Sequence, residues 1–243
     1  MKKVEHMHKI DVHVHSKGVS TCSCVSVEEL VEQKLAQGYD GMVLTNHCQA
    51  WYYDPPQHGE YVKSVLAEYE RGRAYGAQRN FRVLLGLEVT INKPFYSDWL
   101  LYGITGEFLA KTPCLYNLNQ RELFELCEEN GVVLVQAHPY RANRSYCEDM
   151  RPGDPRYMHG VEINCTEGDL EKKDEVLAFA RQNGLLVTCG TDYHGPNRTF
   201  RGGMYLPEGV ERSAELACYL RQTDETNLFL EEEMIVFPIK RNK

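Results

Sequence analysis

At 243 residues and 42% hydrophobic composition, the chain can bury a full core, and a single domain over 1–243 is expected. Its net charge of −8, from 35 acidic against 27 basic residues, makes a long nucleic-acid partner unlikely, because such polymers are gripped by basic surface. No run approaches the roughly 18 apolar residues of a membrane span, so no membrane association is expected.

The first element read from the N-terminus is a strand over Lys9 to Val14, which carries His13 and His15. Ser26-Val27-Glu28-Glu29 resembles a capping box and opens a helix with Val27, Leu30, Val31 and Leu35 at helical spacing, ended by Gly38. Gly41 to Leu44 is a second strand, ending at His47. After an aromatic loop from Trp51 to Gln57, Glu60 to Arg79 reads as a helix and Arg82 to Val89 as a third strand with Glu88 near its end. Asp98 precedes a fourth strand, Trp99 to Ile104. A helix over Asn119 to Asn130 leads to a fifth strand, Val132 to Ala137, and then to His138. A sixth strand, Gly160 to Cys165, a helix over Leu170 to Asn183 and a seventh strand, Leu185 to Cys189, lead to Asp192 and His194. A short strand at Gly203 to Leu206, a helix from Ser213 to Gln222 and an extended piece from Leu228 to Phe237 complete the chain.

Strands alternating with helices predict an α/β fold with a parallel sheet. A distorted TIM-like (β/α)7 barrel suits it better than an open sheet. The polar residues sit at the C-terminal strand ends, which only a barrel brings to one mouth.

Those residues are His13, His15, His47, Glu88, His138, Asp192 and His194. In a strand, residues i and i+2 point to one side, so His13 and His15 converge. Nitrogen and carboxylate donors in this mixture suit Zn, Mn or Fe, and seven are too many for one tetrahedral ion. Two or more divalent metal ions are expected, with Glu88 a natural bridge. His6, His8, His58 and His159 lack the strand-end setting. Of the nine cysteines, Cys22 and Cys24 are candidates for metal ligation or a redox pair; the others are scattered and read as reduced thiols in a cytoplasmic protein. The first residues, Met1 to His6, have no apolar segment behind them to act as a signal peptide.

Asp11-Val12-His13-Val14-His15, Thr45-Asn46-His47, Gly86-Leu87-Glu88, Ala137-His138-Pro139 and Gly190-Thr191-Asp192-Tyr193-His194 together resemble the polymerase-and-histidinol-phosphatase (PHP) superfamily of metal-dependent phosphoesterases. The resemblance spans nearly the whole chain. It implies a distorted seven-stranded barrel with two or three metals at its C-terminal mouth. It implies one metal on His13, His15, Glu88 and Asp192, a second on Glu88 and His138, and a third on His47 and His194. Three positions depart from the family pattern. Asn46 stands where an Asp is usual. Asp98, a competent oxygen ligand, stands where a His is frequent. Ser20-Thr21-Cys22-Ser23 replaces a loop that often carries Asp or His.

The expected chemistry is hydrolysis of a small phosphomonoester by a metal-bound hydroxide, histidinol-phosphatase-like, with Asp192 or His194 managing a proton. Arg141 and Arg144 after His138, and Arg198 and Arg201 after His194, are candidates to grip phosphate. Trp51, Tyr52 and Tyr53 are candidates to wall the pocket, and loops 48–58, 90–98 and 139–158 would set specificity. Alternatives are a protein-tyrosine phosphatase or nuclease of the same superfamily, a non-catalytic metal-binding or regulatory protein, and an amidohydrolase. The last often uses a strand-end Lys, which this chain lacks. Nothing in the sequence speaks to oligomeric state.

Overall fold

The structure, a computed structural model, describes residues 7–142, 150–196 and 200–240. Strand β1 (Met7–Val14) passes through a polar loop into helix α1 (Val27–Ala36). The Ser26 hydroxyl accepts from Glu29 N, and Glu29 Oε2 accepts from Ser26 N at 2.8 Å, so the capping box forms as the sequence implies. Strand β2 (Gly41–Leu44), the two-residue β3 (His47–Cys48), helix α2 (His58–Ala77) and strand β4 (Arg82–Ile91) follow. Next come β5 (Ser97–Tyr102), the short α3 (Gly106–Lys111), α4 (Gln120–Glu129), β6 (Val133–Gln136) and β7 (Gly160–Asn164). Helix α5 (Lys173–Asn183) ends on Gly184 at φ +67°, a left-handed cap that glycine takes without strain. Strand β8 (Leu186–Gly190), β9 (Gly202–Pro207), α6 (Ser213–Gln222) and a hairpin of β10 (Glu225–Leu230) and β11 (Glu233–Pro238) end the described chain.

The sheet runs β11-β10-β9-β1-β2-β4-β5-β6-β7-β8, with β3 on β4. Its ends curl round until β8 meets β1. Val14 and Tyr193 form a parallel bridge, and His15 N donates to Tyr193 O at 3.0 Å. The seven strands β1, β2, β4, β5, β6, β7 and β8 thus make a nearly closed barrel, as the strand count predicts. β9 extends the sheet from β1, antiparallel to it, and the hairpin continues it through β10, antiparallel to β9.

Among the seven barrel strands, the expected all-parallel pairing fails at one. β5 is antiparallel to both β4 and β6. Only residues 92–96 separate it from β4, too few for the crossover that a parallel neighbour requires. The reversal turns the start of β5 toward the mouth where its neighbours end. Asp98, inside the strand rather than before it, pairs with Thr90 at that rim. The interior strands are buried on both faces, Trp99, Leu100, Leu101 and Tyr102 completely so. No helix among the described residues is long and apolar enough to cross a membrane.

Candidate metal centre

β1 brings His13 and His15 to the mouth with Nε2 atoms 3.0 Å apart. Glu88, from β4, lies among four imidazoles. Its Oε1 is 3.4 Å from His13 Nε2 and 3.2 Å from His138 Nε2. Its Oε2 is 3.5 Å from His15 Nε2 and 2.7 Å from His47 Nδ1. Across the mouth, Asp192 Oδ1 is 3.5 Å from His13 Nε2, 3.2 Å from His15 Nε2 and 3.3 Å from His194 Nδ1. Asp98 completes the far side, its Oδ2 3.9 Å from His138 Nε2. The structure therefore gathers all eight residues singled out as metal ligands in the sequence. Three of their groupings could each hold an ion: His13, His15 and Glu88; Glu88, Asp98 and His138; His15, His47 and His194.

Two strand ends are held in unusual backbone conformations. His138 has φ +30° and Asp192 φ +50°, a region side-chain-bearing residues adopt at a cost. Both carry site side chains, and both follow directly on buried strands.

A supporting shell orients this cluster. His13 Nδ1 contacts Glu162 Oε1 at 2.8 Å, which turns Nε2 toward Glu88 and Asp192. Glu162 Oε2 accepts from His138 N at 3.2 Å and from Asn164 Nδ2 at 3.0 Å. Asp11 Oδ1 accepts from His13 N and Thr191 N, pinning β1 to β8. Asn46, where the family pattern has an Asp, uses both ends of its amide. Oδ1 accepts from Ser16 N at 2.9 Å and Ser20 Oγ at 2.8 Å, and Nδ2 donates to Ser16 Oγ at 3.1 Å. Neither Asp11 nor Glu162 was singled out in the sequence. The signal was there: each is an acid between two apolar strand residues, Ile10 and Val12 or Val161 and Ile163, and a buried charge there requires a partner.

The electrostatics are mutually compensating. Burial opposes charge on His13, but Glu162, Glu88 and Asp192 outweigh it and hold its pKa well above the usual value. Burial, with the neighbouring His47 and His194, drives His15 well below it. Glu88 is held low against burial by His13 and His47, and Asp192 against burial by Arg141, His194 and His13. Burial and the nearby Glu88 raise Asp98.

The donor set fits divalent metal. Glu88 Oε2 and His47 Nδ1 are buried and make no hydrogen bond of proper geometry, although they stand 2.7 Å apart. A shared cation would satisfy both.

Of the arginines proposed to grip phosphate, Arg141 reaches the site but is engaged, donating to Asp169 at 2.7 Å, Asp192 at 2.8 Å and Asn164 at 3.3 Å. Arg201 is held away from the cluster by Glu231 and Glu232 of the hairpin turn. Arg144 and Arg198 lie outside the described residues, as does His6. His58 bonds Leu109 O, and His159 bonds Glu128; neither lines the cavity. Cys22 and Cys24 do line it. Burial raises the Cys22 thiol, but hydrogen bonds with His194 and His47 outweigh it and bring its pKa to about 6. Every described cysteine is free. Trp51 and Tyr52 line the cavity, while Tyr53 is buried against Tyr61 with ring centroids 4.2 Å apart.

No protein-family model and no curated protein matches the chain. Among solved structures it is similar to a two-domain protein from Bacteroides vulgatus containing a predicted PHP-like metal-dependent phosphoesterase. That match has a TM-score of 0.66 at 18% identity, covering 95% of this chain and 66% of that one. It is also similar to PsfC from Pseudomonas syringae, with a TM-score of 0.62 at 19% identity over 86% and 87% of the two chains. A third is the lesion-specific endonuclease PfuEndoQ from Pyrococcus furiosus, with a TM-score of 0.55 at 14% identity over 89% of this chain and 56% of that one. The chain thus spans just under two thirds of the first of these proteins and little more than half of the third. At such identities the likeness is one of shape, and together with the strand order and the mouth described above it gives this chain the PHP fold.

Proposed function

We propose that this chain is a metal-dependent phosphoesterase acting on a small phosphomonoester. One observation carries the reading: the buried Glu88 carboxylate is common to two ligand groupings, with His13 and His15 on one side and Asp98 and His138 on the other. A carboxylate so placed suits a pair of cations. His13, His15, Glu88 and Asp192 would hold one ion, Glu88, Asp98 and His138 a second, and His15, His47 and His194 a third. Divalent Zn, Mn or Fe there would acidify a water and neutralise charge on a phosphoryl group.

The chain's own residues do the rest. Glu162 fixes the His13 ring, and Arg141 holds Asp192 Oδ2 at 2.8 Å so that Oδ1 faces the histidines. His194 Nδ1 donates to Asp192 O at 2.8 Å, which leaves Nε2 as the lone-pair nitrogen. Asp192 and His194 are the groups placed to handle a proton.

A second reading is a nuclease, favoured by the likeness in shape to PfuEndoQ. The net charge of −8 and a cavity whose one described arginine is already engaged weigh against a long polyanion.

The test is metal content by inductively coupled plasma mass spectrometry, wild type beside His13→Ala/Glu88→Ala, with phosphate release from a monoester panel and cleavage of abasic duplex DNA. Two or three equivalents of metal, lost in the variant, with monoester turnover are expected. One equivalent, or metal indifferent to the substitutions, overturns the shared site. DNA cleavage without monoester turnover selects the nuclease.

A further inference from the structure

We propose that the cavity above this centre selects phosphomonoesters whose organic group is a flat aromatic ring, with Trp51 as the stacking residue. The proposal rests on the phosphoesterase reading for its phosphate end. The cavity holds about 550 Å³, the size of a site for a whole organic ligand rather than for bare phosphate. Glu88, Asp98, His138, Asp192 and His194 line one part of it, and Trp51, Tyr52 and Tyr96 another.

Trp51 is 64% exposed. Of the four large hydrophobic side chains exposed among the described residues, it alone lines this cavity. An indole left in water beside a cavity gains by covering its face with another ring. Tyr52 is fixed beside it. Its ring stacks on His47, with centroids 5.8 Å apart and planes 16° apart, and its hydroxyl donates to Cys22 Sγ at 3.5 Å. The aromatic wall is therefore tied directly to the ligand cluster.

Gln49 adds a polar reader. It lines the cavity at 5% exposure, and one end of its amide meets Thr90 Oγ1 at 3.0 Å. Thr90 is in turn anchored to Asp98 Oδ1 at 2.6 Å. The other end of the Gln49 amide has no protein partner among the described residues. An open amide end on a residue that lines the cavity suits the ring nitrogens or exocyclic groups of a heteroaromatic ligand. Among the described residues Arg141 is the one arginine that lines the cavity, and it is engaged by Asp169 and Asp192.

The chain has two tryptophans, and the other, Trp99, is fully buried, so ligand quenching of fluorescence reports on Trp51. The probes are adenosine 5′-monophosphate, phenyl phosphate and ribose 5-phosphate, titrated against the metal-loaded protein by fluorescence and by calorimetry. The two ring-bearing esters are expected to quench and to bind about tenfold more tightly than ribose 5-phosphate, the size of effect one stacked ring gives. Trp51→Leu should erase that difference while leaving the urea midpoint unchanged, since the side chain is exposed. Equal binding of all three probes, or a difference that survives in Trp51→Leu, overturns the proposal. Phosphate release separates the two readings. Ring-selective binding without release keeps the slot and sinks the phosphoesterase; equal turnover of all three does the reverse.

Discussion

Lys34 Nζ lies 2.5 Å from Asp11 Oδ2, with both side chains buried directly behind the ligand cluster. Lys34 projects from α1 over the rings of Tyr39 and Tyr193 and also donates to Thr191 Oγ1 at 3.2 Å. Asp11 sits two residues before His13, and Thr191 directly precedes Asp192. The pair therefore locks β1 to the end of β8 at the seam where the barrel closes. Lys34→Met would leave the Asp11 charge buried without its cation, at a cost of about 3–5 kcal/mol. Urea unfolding measures it. A loss below about 1 kcal/mol would show that Thr191 and the backbone amides suffice for Asp11.

Glu162→Gln tests the supporting shell. The substitution keeps shape but removes the charge that fixes His13 Nδ1 at 2.8 Å. Loss of such a partner typically lowers metal affinity about 10–100-fold. Competition with a chromogenic chelator reads this directly. Affinity equal to wild type would mean that Glu88 and Asp192 alone set the His13 ring.

The candidate ligands other than Asp98 were legible in the sequence because each closes or follows an apolar run that predicts a strand, and strand ends of one barrel share a mouth. The reversal of β5 was legible only in part: the short link 92–96 forbids a crossover, yet the apolar run alone carries no direction. Lys34 stands at i+7 from Val27 and i+4 from Leu30, on the helix's apolar stripe, and a lysine there implies a buried partner that the sequence does not name. Arg201 shows the opposite limit. Its position after His194 suggested the mouth, but its carboxylate partners come from a hairpin 30 residues further on, a pairing that no local pattern encodes.

Gly190→Ala probes the closeness of β8 and β1. A Cβ at this position would stand 2.5 Å from His13 Cβ and 2.8 Å from Glu162 Oε1, so the hydrogen-bonded pair itself would have to yield. Overpacking of this kind costs about 1–3 kcal/mol. The expected outcome is a lower urea midpoint together with weaker metal retention on dialysis. A lower midpoint with full metal retention would show that the strand moves without disturbing His13.

His159, remote from the mouth, should make stability depend on pH. Its Nδ1 accepts from Leu134 N at 2.9 Å, so its one hydrogen is on Nε2, facing Glu128 Oε1 at 2.8 Å. Glu128 also receives Arg221 Nη2 at 2.7 Å, which joins the start of β7 to α4 and α6. Burial lowers the His159 pKa from its ordinary 6.5, and Glu128 only partly offsets this. The ring is thus neutral when folded, and the unfolded chain binds the extra proton. Its contribution is present above pH 6.5 and is lost as pH falls below it toward the depressed folded value. Other histidines titrate in the same window, so the measurement is a difference. The stability gap between wild type and His159→Gln, from urea melts, should be larger at pH 7.5 than at pH 5.5. A gap that stays constant or widens on acidification would mean that the folded ring carries charge, with the Glu128 contact acting as a true ion pair.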